Sequence, residues 1–245
     1  MFTQLLAFTA LVIVLYLVGE YLRLMLLYMT GKKLAKSSLP YCASPARAKH
    51  KVIVVGDSTA VGTGAENPKN SIAGRLASLF PNTCVENMGR NGMDTEELAR
   101  LLASLPARKD YDLAILNIGG NDVVFLSALD DVDKHIESVV REATLRAHKV
   151  ILWTGGNAAT IPAIPIVMRS YYEARSRRLR DDFVRVARKF GVIYIDLFRE
   201  RKSDPVIQNP NKYVAQDRFH PSDEGYGLWF AELLRVLNEN KIELK

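Results

Sequence analysis

The sequence predicts an α/β domain with a central parallel sheet of about five strands, preceded by one apolar helix. Three observations favour this fold: short runs rich in β-branched residues recur from residue 51 onward, amphipathic stretches separate them, and an uncharged segment precedes both. Alternation of strands and helices builds parallel sheets through right-handed crossovers, with helices on both faces. We expect the strands near residues 51–55, 83–88, 113–118, 150–153 and 192–195.

Two of the connecting segments have a clear helical period. Residues 131–147 repeat apolar side chains on one helix face, and so does the last helix of the chain. The residues concerned are Val132, Ile136, Val139, Val140 and Ala143, then Tyr226, Phe230, Leu233, Leu234 and Leu237. About 195 residues are enough for one such domain, so residues 51–245 are predicted to form it.

The first thirty residues are predicted to form a transmembrane anchor. Residues 2–19 carry no charge, and as a helix they would extend about 27 Å, which is close to the hydrocarbon thickness of a bilayer. The alternative is a cleaved signal peptide, but no Lys or Arg precedes the apolar run and no small-residue cleavage site follows closely. Residues 31–50 are rich in Lys, Ser, Pro and Ala, which is typical of a linker.

Candidate catalytic residues lie in four short segments: GDSTAVGTG (56–64), GRNGMDT (89–95), GGND (119–122) and DRFHP (217–221). Ser58 directly follows the first predicted strand, at the sheet edge where open α/β domains bind their ligands. A serine hydroxyl needs a base to remove its proton. Asp217 and His220 can form a carboxylate–histidine pair, so Ser58, Asp217 and His220 are the predicted catalytic triad.

Acyl transfer also requires hydrogen-bond donors for the oxygen that becomes negative in the tetrahedral intermediate. Asn121 offers a side-chain amide, and Gly92 offers a backbone N–H without a side chain to block approach. The N–H of Ser58 is the third predicted oxyanion donor. Asp57, beside the serine, is interpreted as a turn acceptor, and Asp122 as a brace of the GGND loop.

The four segments together resemble the four blocks of the SGNH (GDSL-type) hydrolase family of esterases, thioesterases and lysophospholipases. In that family the blocks carry a serine, a glycine, an asparagine and a histidine, which match Ser58, Gly92, Asn121 and His220. The resemblance implies a three-layer, flavodoxin-like domain from about residue 51 to the C-terminus. Two departures concern the shape of the pocket: Thr59 replaces a common leucine, and Asn91 stands where a small residue is frequent.

Other site chemistries find no support in the sequence. It lacks a dinucleotide-binding GxGxxG, a phosphate-binding GK[ST] loop and zinc-ligand spacing, so we expect no metal and no cofactor. The net charge is +6, but no aromatic–basic interleaving supports a nucleic-acid partner. The cysteines, Cys42 and Cys84, are expected to be unpaired.

The segment of residues 155–180 follows the fourth predicted strand and therefore also emerges at the catalytic edge. Its apolar side chains are interpreted either as a loop packing on the core or as an acyl-chain wall or lid, with Ile161, Ile164, Met168 and Tyr171 as candidate substrate contacts. A basic cluster follows, consisting of Arg175, Arg177, Arg178 and Arg180. This cluster favours an anionic membrane surface, with a solvated helix face as the alternative.

These features predict a single-pass membrane esterase acting on a lipid-like acyl ester or thioester, such as a lysophospholipid. The alternatives are an acyltransferase or a carbohydrate O-acetylesterase with the same site, and a non-catalytic tethered binding protein. Basic residues flank only the C-terminal side of the anchor, which favours a cytoplasmic domain. Export of many members of the family leaves the extracytoplasmic side open. The oligomeric state is not predicted.

Overall fold

A five-stranded parallel sheet forms the centre of the protein, in a computed structural model that describes residues 2–244. The strands are β1 (His50–Gly56), β2 (Thr83–Asn87), β3 (Tyr111–Asn117), β4 (Ala147–Trp153) and β5 (Ile193–Tyr194). Their order in the sheet is β2-β1-β3-β4-β5, and all neighbours are parallel. This confirms the predicted fold class, with a topological switch point between β1 and β3.

Helices cover both faces of the sheet. One layer contains α3 (Ile72–Leu79) and α10 (Asp223–Glu239), and the other contains α4 (Thr95–Ser104), α6 (Leu129–Thr144) and α7 (Arg169–Phe190). Side chains alternate along β1, so Val52 and Val54 join the core under the first layer while Ile53 and Val55 join the core under the second. The two separate cores make a three-layer α/β/α domain.

Four short helices lie in the remaining loops of the domain: α2 (Ser58–Val61), α5 (Gly120–Val124), α8 (Pro205–Gln208) and α9 (Pro210–Tyr213). Helix α2 begins directly after β1, and α5 follows β3. Because these two strands are neighbours and parallel, their carboxyl ends bring α2 and α5 to the same edge of the sheet. Ser58 in α2 and Asn121 in α5 therefore lie at this edge of the sheet.

The N-terminal helix α1 (Phe2–Ser37) contains 36 residues and no buried residue. It continues beyond residue 30, where the anchor was predicted to end, because Lys32, Lys33, Leu34 and Ala35 are good helix formers. By length and composition it is the one helix among the described residues that could cross a membrane. A signal sequence near an N-terminus would meet the same two criteria. The segment after α1 pairs with the domain through an antiparallel bridge between Ala43 and Val85.

Candidate active site

A chain of two hydrogen bonds connects Asp217, His220 and Ser58. The Nε2 atom of His220 lies 2.9 Å from Ser58 Oγ, and its Nδ1 atom lies 2.5 Å from Asp217 Oδ2. The other carboxylate oxygen of Asp217 accepts hydrogen bonds from the backbone N–H groups of Phe219 and His220, both at 3.0 Å. Asp217, His220 and Ser58 are all buried. The structure therefore brings together the three residues predicted as a triad.

Electrostatics favour an ionised Asp217. Burial by itself raises the pKa of this carboxyl, but hydrogen bonds from the His220 ring and from the two backbone N–H groups outweigh it and hold the pKa below its usual value. An ionised carboxylate accepts the Nδ1 proton of His220, so in the neutral imidazole the unprotonated nitrogen is Nε2, which faces Ser58. This is the tautomer in which the imidazole can take the serine proton.

Two other buried carboxylates near Ser58 have structural partners instead. Asp57 caps α2, where its Oδ1 accepts hydrogen bonds from the N–H and the hydroxyl of Thr59, as the turn-acceptor interpretation predicts. Asp122 accepts from the N–H and the hydroxyl of Thr95, so it joins the GGND loop to the start of α4. Burial raises the pKa of both carboxyls, and the hydrogen bonds offset this only in part.

The three predicted oxyanion donors line one cavity together with His220. Asn121 is buried, and its Nδ2 atom donates to the carbonyl of Met93 at 2.8 Å. An amide nitrogen carries two N–H donors, and the second finds no acceptor within residues 2–244. The backbone N–H groups of Ser58 and Gly92 likewise donate to none of the described residues, and Gly92 lies in an exposed turn with φ of +83°.

Two cavities meet at the serine. One has a volume of about 440 Å³ and is lined on its apolar side by Leu197, Val206 and Trp229. The other has a volume of about 510 Å³ and lies between the domain and helix α1. Five residues line both cavities: Ser58, Asn121, Val124, Phe219 and His220. An ester whose carbonyl carbon lies at Ser58 would thus find space on two sides for its two substituents.

The four candidate substrate contacts lie in different places. Ile164 and Met168 line the cavity beside α1, whereas Ile161 lines the other one. Tyr171 lines neither cavity; it is 49% exposed and contacts Tyr172 edge to face. Sequence reasoning missed the α1 residues Leu24, Leu27 and Tyr28 of the cavity wall. The small pair Gly31 and Ala35, four residues apart, was the available signal that this helix packs closely against something.

The arginines of the basic cluster all have partners within the domain, which favours the predicted alternative of a solvated helix face over a membrane-binding cluster. Arg175 donates to the carbonyls of Asp122, Val123 and Ser127. Each remaining arginine pairs with carboxylates of the domain: Arg177 with Glu200, Arg178 with Asp130 and Asp182, and Arg180 with Asp181 and Asp196. The local excess of arginine on α7 is matched by two neighbouring acidic residues, Asp181 and Asp182, and by three that are distant in the sequence, Asp130, Asp196 and Glu200.

No cluster of three or more His, Cys, Asp or Glu side chains within residues 2–244 is arranged to hold a metal ion. Cys42 and Cys84 are both free thiols.

A buried Asp–His–Ser hydrogen-bond chain at the carboxyl edge of a parallel α/β sheet places the protein among the serine hydrolases. Within that class, the chain belongs to the GDSL-like Lipase/Acylhydrolase family, whose model matches residues 54–228. It is 25% identical over 193 residues to a GDSL-like esterase of Mycobacterium tuberculosis, a match that covers 75% of this chain and 60% of that protein. The chain thus spans about three fifths of the length of the curated relative.

Solved structures share the fold. A lipolytic protein of the G-D-S-L family from Veillonella parvula has a TM-score of 0.62 at 17% identity, covering 77% of this chain and 98% of that one. A lipase/acylhydrolase from Enterococcus faecalis has a TM-score of 0.59 at 20% identity, with 80% and 98% covered. The acetylxylan esterase Axe2 from Geobacillus stearothermophilus has a TM-score of 0.57 at 21% identity, with 77% and 94% covered.

Proposed function

We propose that this protein is a membrane-anchored serine esterase that hydrolyses carboxylic esters or thioesters with a lipid-like acyl group. The hydrogen-bond chain from Asp217 through His220 to Ser58 carries the proposal. His220 takes the proton of Ser58 as its oxygen attacks the ester carbonyl, and the ionised Asp217 stabilises the imidazolium that forms. His220 then protonates the leaving alcohol or thiol as its bond to the acyl carbon breaks. A water molecule next attacks the acyl carbonyl while His220 takes its proton, and His220 gives that proton to Ser58 as the carboxylic acid is released.

The negative oxygen of each tetrahedral intermediate needs donors that are not otherwise engaged. Three N–H donors have no acceptor among the described residues: those of the Ser58 and Gly92 backbone and the second N–H of the Asn121 amide. All three residues line the same cavity. The bond from Asn121 to the Met93 carbonyl restrains the amide, so its free N–H keeps a fixed direction. Preorganised donors of this kind stabilise the transition state strongly.

A lipid-like substrate is supported by three features of the molecule. Helix α1 is long and apolar enough to span a bilayer, and none of its apolar window is buried in the protein. Ile166 and Val167, on the loop before α7, are 75% and 73% exposed. The loop carrying them is hydrogen-bonded to α1 through Arg23, which donates to the carbonyls of Pro162 and Ala163. These exposed side chains would therefore lie beside the membrane surface.

The test uses the purified full chain and an ester series from acetyl to long acyl chains, with acyl thioesters, a lysophospholipid and an acetylated sugar, each assayed with and without an added alcohol. Ser58→Ala should lower kcat by about 10⁴ or more. Ser78→Ala is the matched control, because Ser78 donates only to the Gly74 carbonyl within α3. Equal activity of Ser58→Ala and wild type would contradict the proposed nucleophile.

The same substrate series separates the alternative functions. Preference for acetylated sugars over every long-chain ester would indicate a carbohydrate ester as the substrate instead of a lipid-like one. Formation of new acyl esters with an added alcohol would identify a transferase.

The charge asymmetry around α1 supports a catalytic domain on the cytoplasmic side. Arg23 pairs with Glu20 at 2.7 Å, but Lys32, Lys33 and Lys36 lie on the C-terminal flank, whereas residues 1–19 contain no Lys or Arg. A C-terminal reporter that is active on only one side of the membrane tests this orientation. N-terminal sequencing of the membrane-extracted protein separates an anchor from a cleaved signal sequence.

A further inference from the structure

The second half of helix α1 packs along the catalytic edge of the domain and is attached at two points. Near its middle, Arg23 donates to the carbonyls of Pro162 and Ala163 at 3.3 and 3.1 Å. Near its end, the carbonyl of Ala35 accepts a hydrogen bond from Asn91 Nδ2 at 3.0 Å. Asn91 directly precedes the proposed oxyanion donor Gly92. The helix is thus connected both to the loop before α7 and to the oxyanion loop.

Between these two points α1 approaches the triad itself. A Cβ atom added at Gly31 would lie 3.3 Å from Asp217 Oδ2, the oxygen that accepts the His220 proton. That distance is shorter than ordinary van der Waals contact, so a side chain at position 31 would require Asp217 or the helix to shift by a few tenths of an ångström. An anchor that only held the domain at the membrane would not need so close a contact with a catalytic carboxylate.

The helix also forms one wall of the cavity of about 510 Å³ that ends at Ser58. Leu24, Leu27 and Tyr28 line it from α1, and Phe125, Ile164 and Met168 line it from the domain. Apart from the catalytic groups at its inner end, the cavity is lined mainly by apolar side chains. Leu24 follows the last residue of the uncharged run, Gly19, by a rise of about 7.5 Å along the helix. The outer part of the cavity therefore lies next to the segment that would leave the bilayer.

We propose that the α1 segment from Leu24 to Tyr28 is a chain-length-determining part of the substrate site. The apolar chain of a membrane-resident ester lies in the cavity between this segment and the domain, with its carbonyl at Ser58. This inference rests on the esterase function proposed above and extends it to a substrate class: amphipathic esters with one extended alkyl chain, taken up from the bilayer surface along the anchor helix.

The experiment narrows the cavity from the helix side. Leu27→Trp in the full chain, reconstituted in lipid nanodiscs, is compared with Leu26→Trp, whose position is 66% exposed and lies outside the cavity wall. Aryl esters with acyl chains of increasing length, and alkyl acetates with alcohol chains of increasing length, are the two substrate series. In one of these series, Leu27→Trp should lower the ratio of kcat/KM for long chains to kcat/KM for acetyl aryl esters by about tenfold or more.

The outcomes separate the inference from the proposed function. Wild type inactive on every ester removes the esterase function itself. An active wild type with a chain-length profile that Leu27→Trp does not change overturns the inference alone, and so does an equal loss on short and long chains. If Leu27→Trp does not fold, as judged by thermal unfolding and by labelling of Ser58 with a fluorophosphonate probe, Leu24→Trp makes the same comparison from the outer end of the wall.

Discussion

Replacing Asp217 by asparagine tests whether the mechanism depends on the ring nitrogen of His220 that carries the proton. One oxygen of Asp217 accepts two backbone N–H groups, from Phe219 and His220, and only an oxygen can continue to accept them. The amide NH₂ must therefore take the position of Oδ2, 2.5 Å from His220 Nδ1 in the wild type. It donates to Nδ1, which forces the ring proton onto Nε2. The imidazole then donates to Ser58 and can no longer accept its proton.

The expected loss in kcat is about 10⁴, the magnitude typical of a triad histidine held in the wrong tautomer. The fold should survive, because both backbone hydrogen bonds are kept and the side-chain volume hardly changes. The lost charge-assisted bond to His220 is worth about 1.5–3 kcal/mol of unfolding free energy. This stabilisation is present above the ordinary aspartate pKa and is lost as the pH falls through the lowered pKa of folded Asp217.

The assay is hydrolysis of an acetyl aryl ester at pH 7 with thermal unfolding of the same preparations. Asp223→Asn is the control, since Asp223 accepts hydrogen bonds from the Glu66 N–H and from Asn70 and makes no contact with the triad. The control should keep kcat within about twofold, as expected for a change outside a cooperating catalytic unit. A folded Asp217→Asn variant with more than a tenth of wild-type kcat would refute the tautomer argument and the role of Asp217 with it.

Three further changes test neighbouring parts of the site. Asn121→Ala should lower kcat by about 10² to 10³ with little change in KM, measured on the same ester, because it removes one oxyanion donor. Gly31→Val should lower kcat by about tenfold or more by displacing Asp217, whereas Gly19→Val, whose Cβ would meet nothing within 4 Å, should not; equal kcat values would contradict the close approach. Asp57→Asn keeps an acceptor for Thr59 but removes a buried carboxyl group whose pKa is raised in the folded protein. In the wild type this carboxyl ionises more readily in the unfolded chain, so it destabilises the fold as the pH rises from the ordinary aspartate pKa of 3.8 through the raised one. The difference in melting temperature, Asp57→Asn minus wild type, should therefore become more positive between pH 3 and pH 7. A difference that does not change with pH would contradict this.

Local patterns were sufficient to predict the sheet. Along β1 and β3 the runs of β-branched and aliphatic residues are buried on both faces, so they stand out in the sequence as continuous apolar segments. The edge strand β5 was harder to delimit: residues 192–195 were predicted, but only Ile193 and Tyr194 pair with β4. An edge strand has one neighbour, and its length depends on where that neighbour ends.

The positions of Ser58, Asp217 and His220 were also predictable, because each lies in a short motif with a fixed relation to a strand or helix. The partners of the arginines on α7 were not. Arg178 pairs with Asp130 and Arg185 with Asp133 and Glu137, all on α6, and such pairs depend on how two helices pack. A sequence shows a run of basic residues without showing the acidic surface that faces it.

Helix α1 shows how one pattern can conceal another. Its high mean hydropathy predicts a membrane span. A second, weaker pattern indicates a face that packs against protein: four residues recur at intervals of four on one side of the helix, namely Arg23, Leu27, Gly31 and Ala35. The structure places this face against the catalytic edge, where Asn91 binds the helix end. The departure of Asn91 from the usual small residue thus has a physical reason: a longer polar side chain reaches a terminal helix carbonyl that has no intrahelical partner. Because this hydrogen bond joins the helix to the loop that carries Gly92, a displacement of the helix would be transmitted to the proposed oxyanion donor.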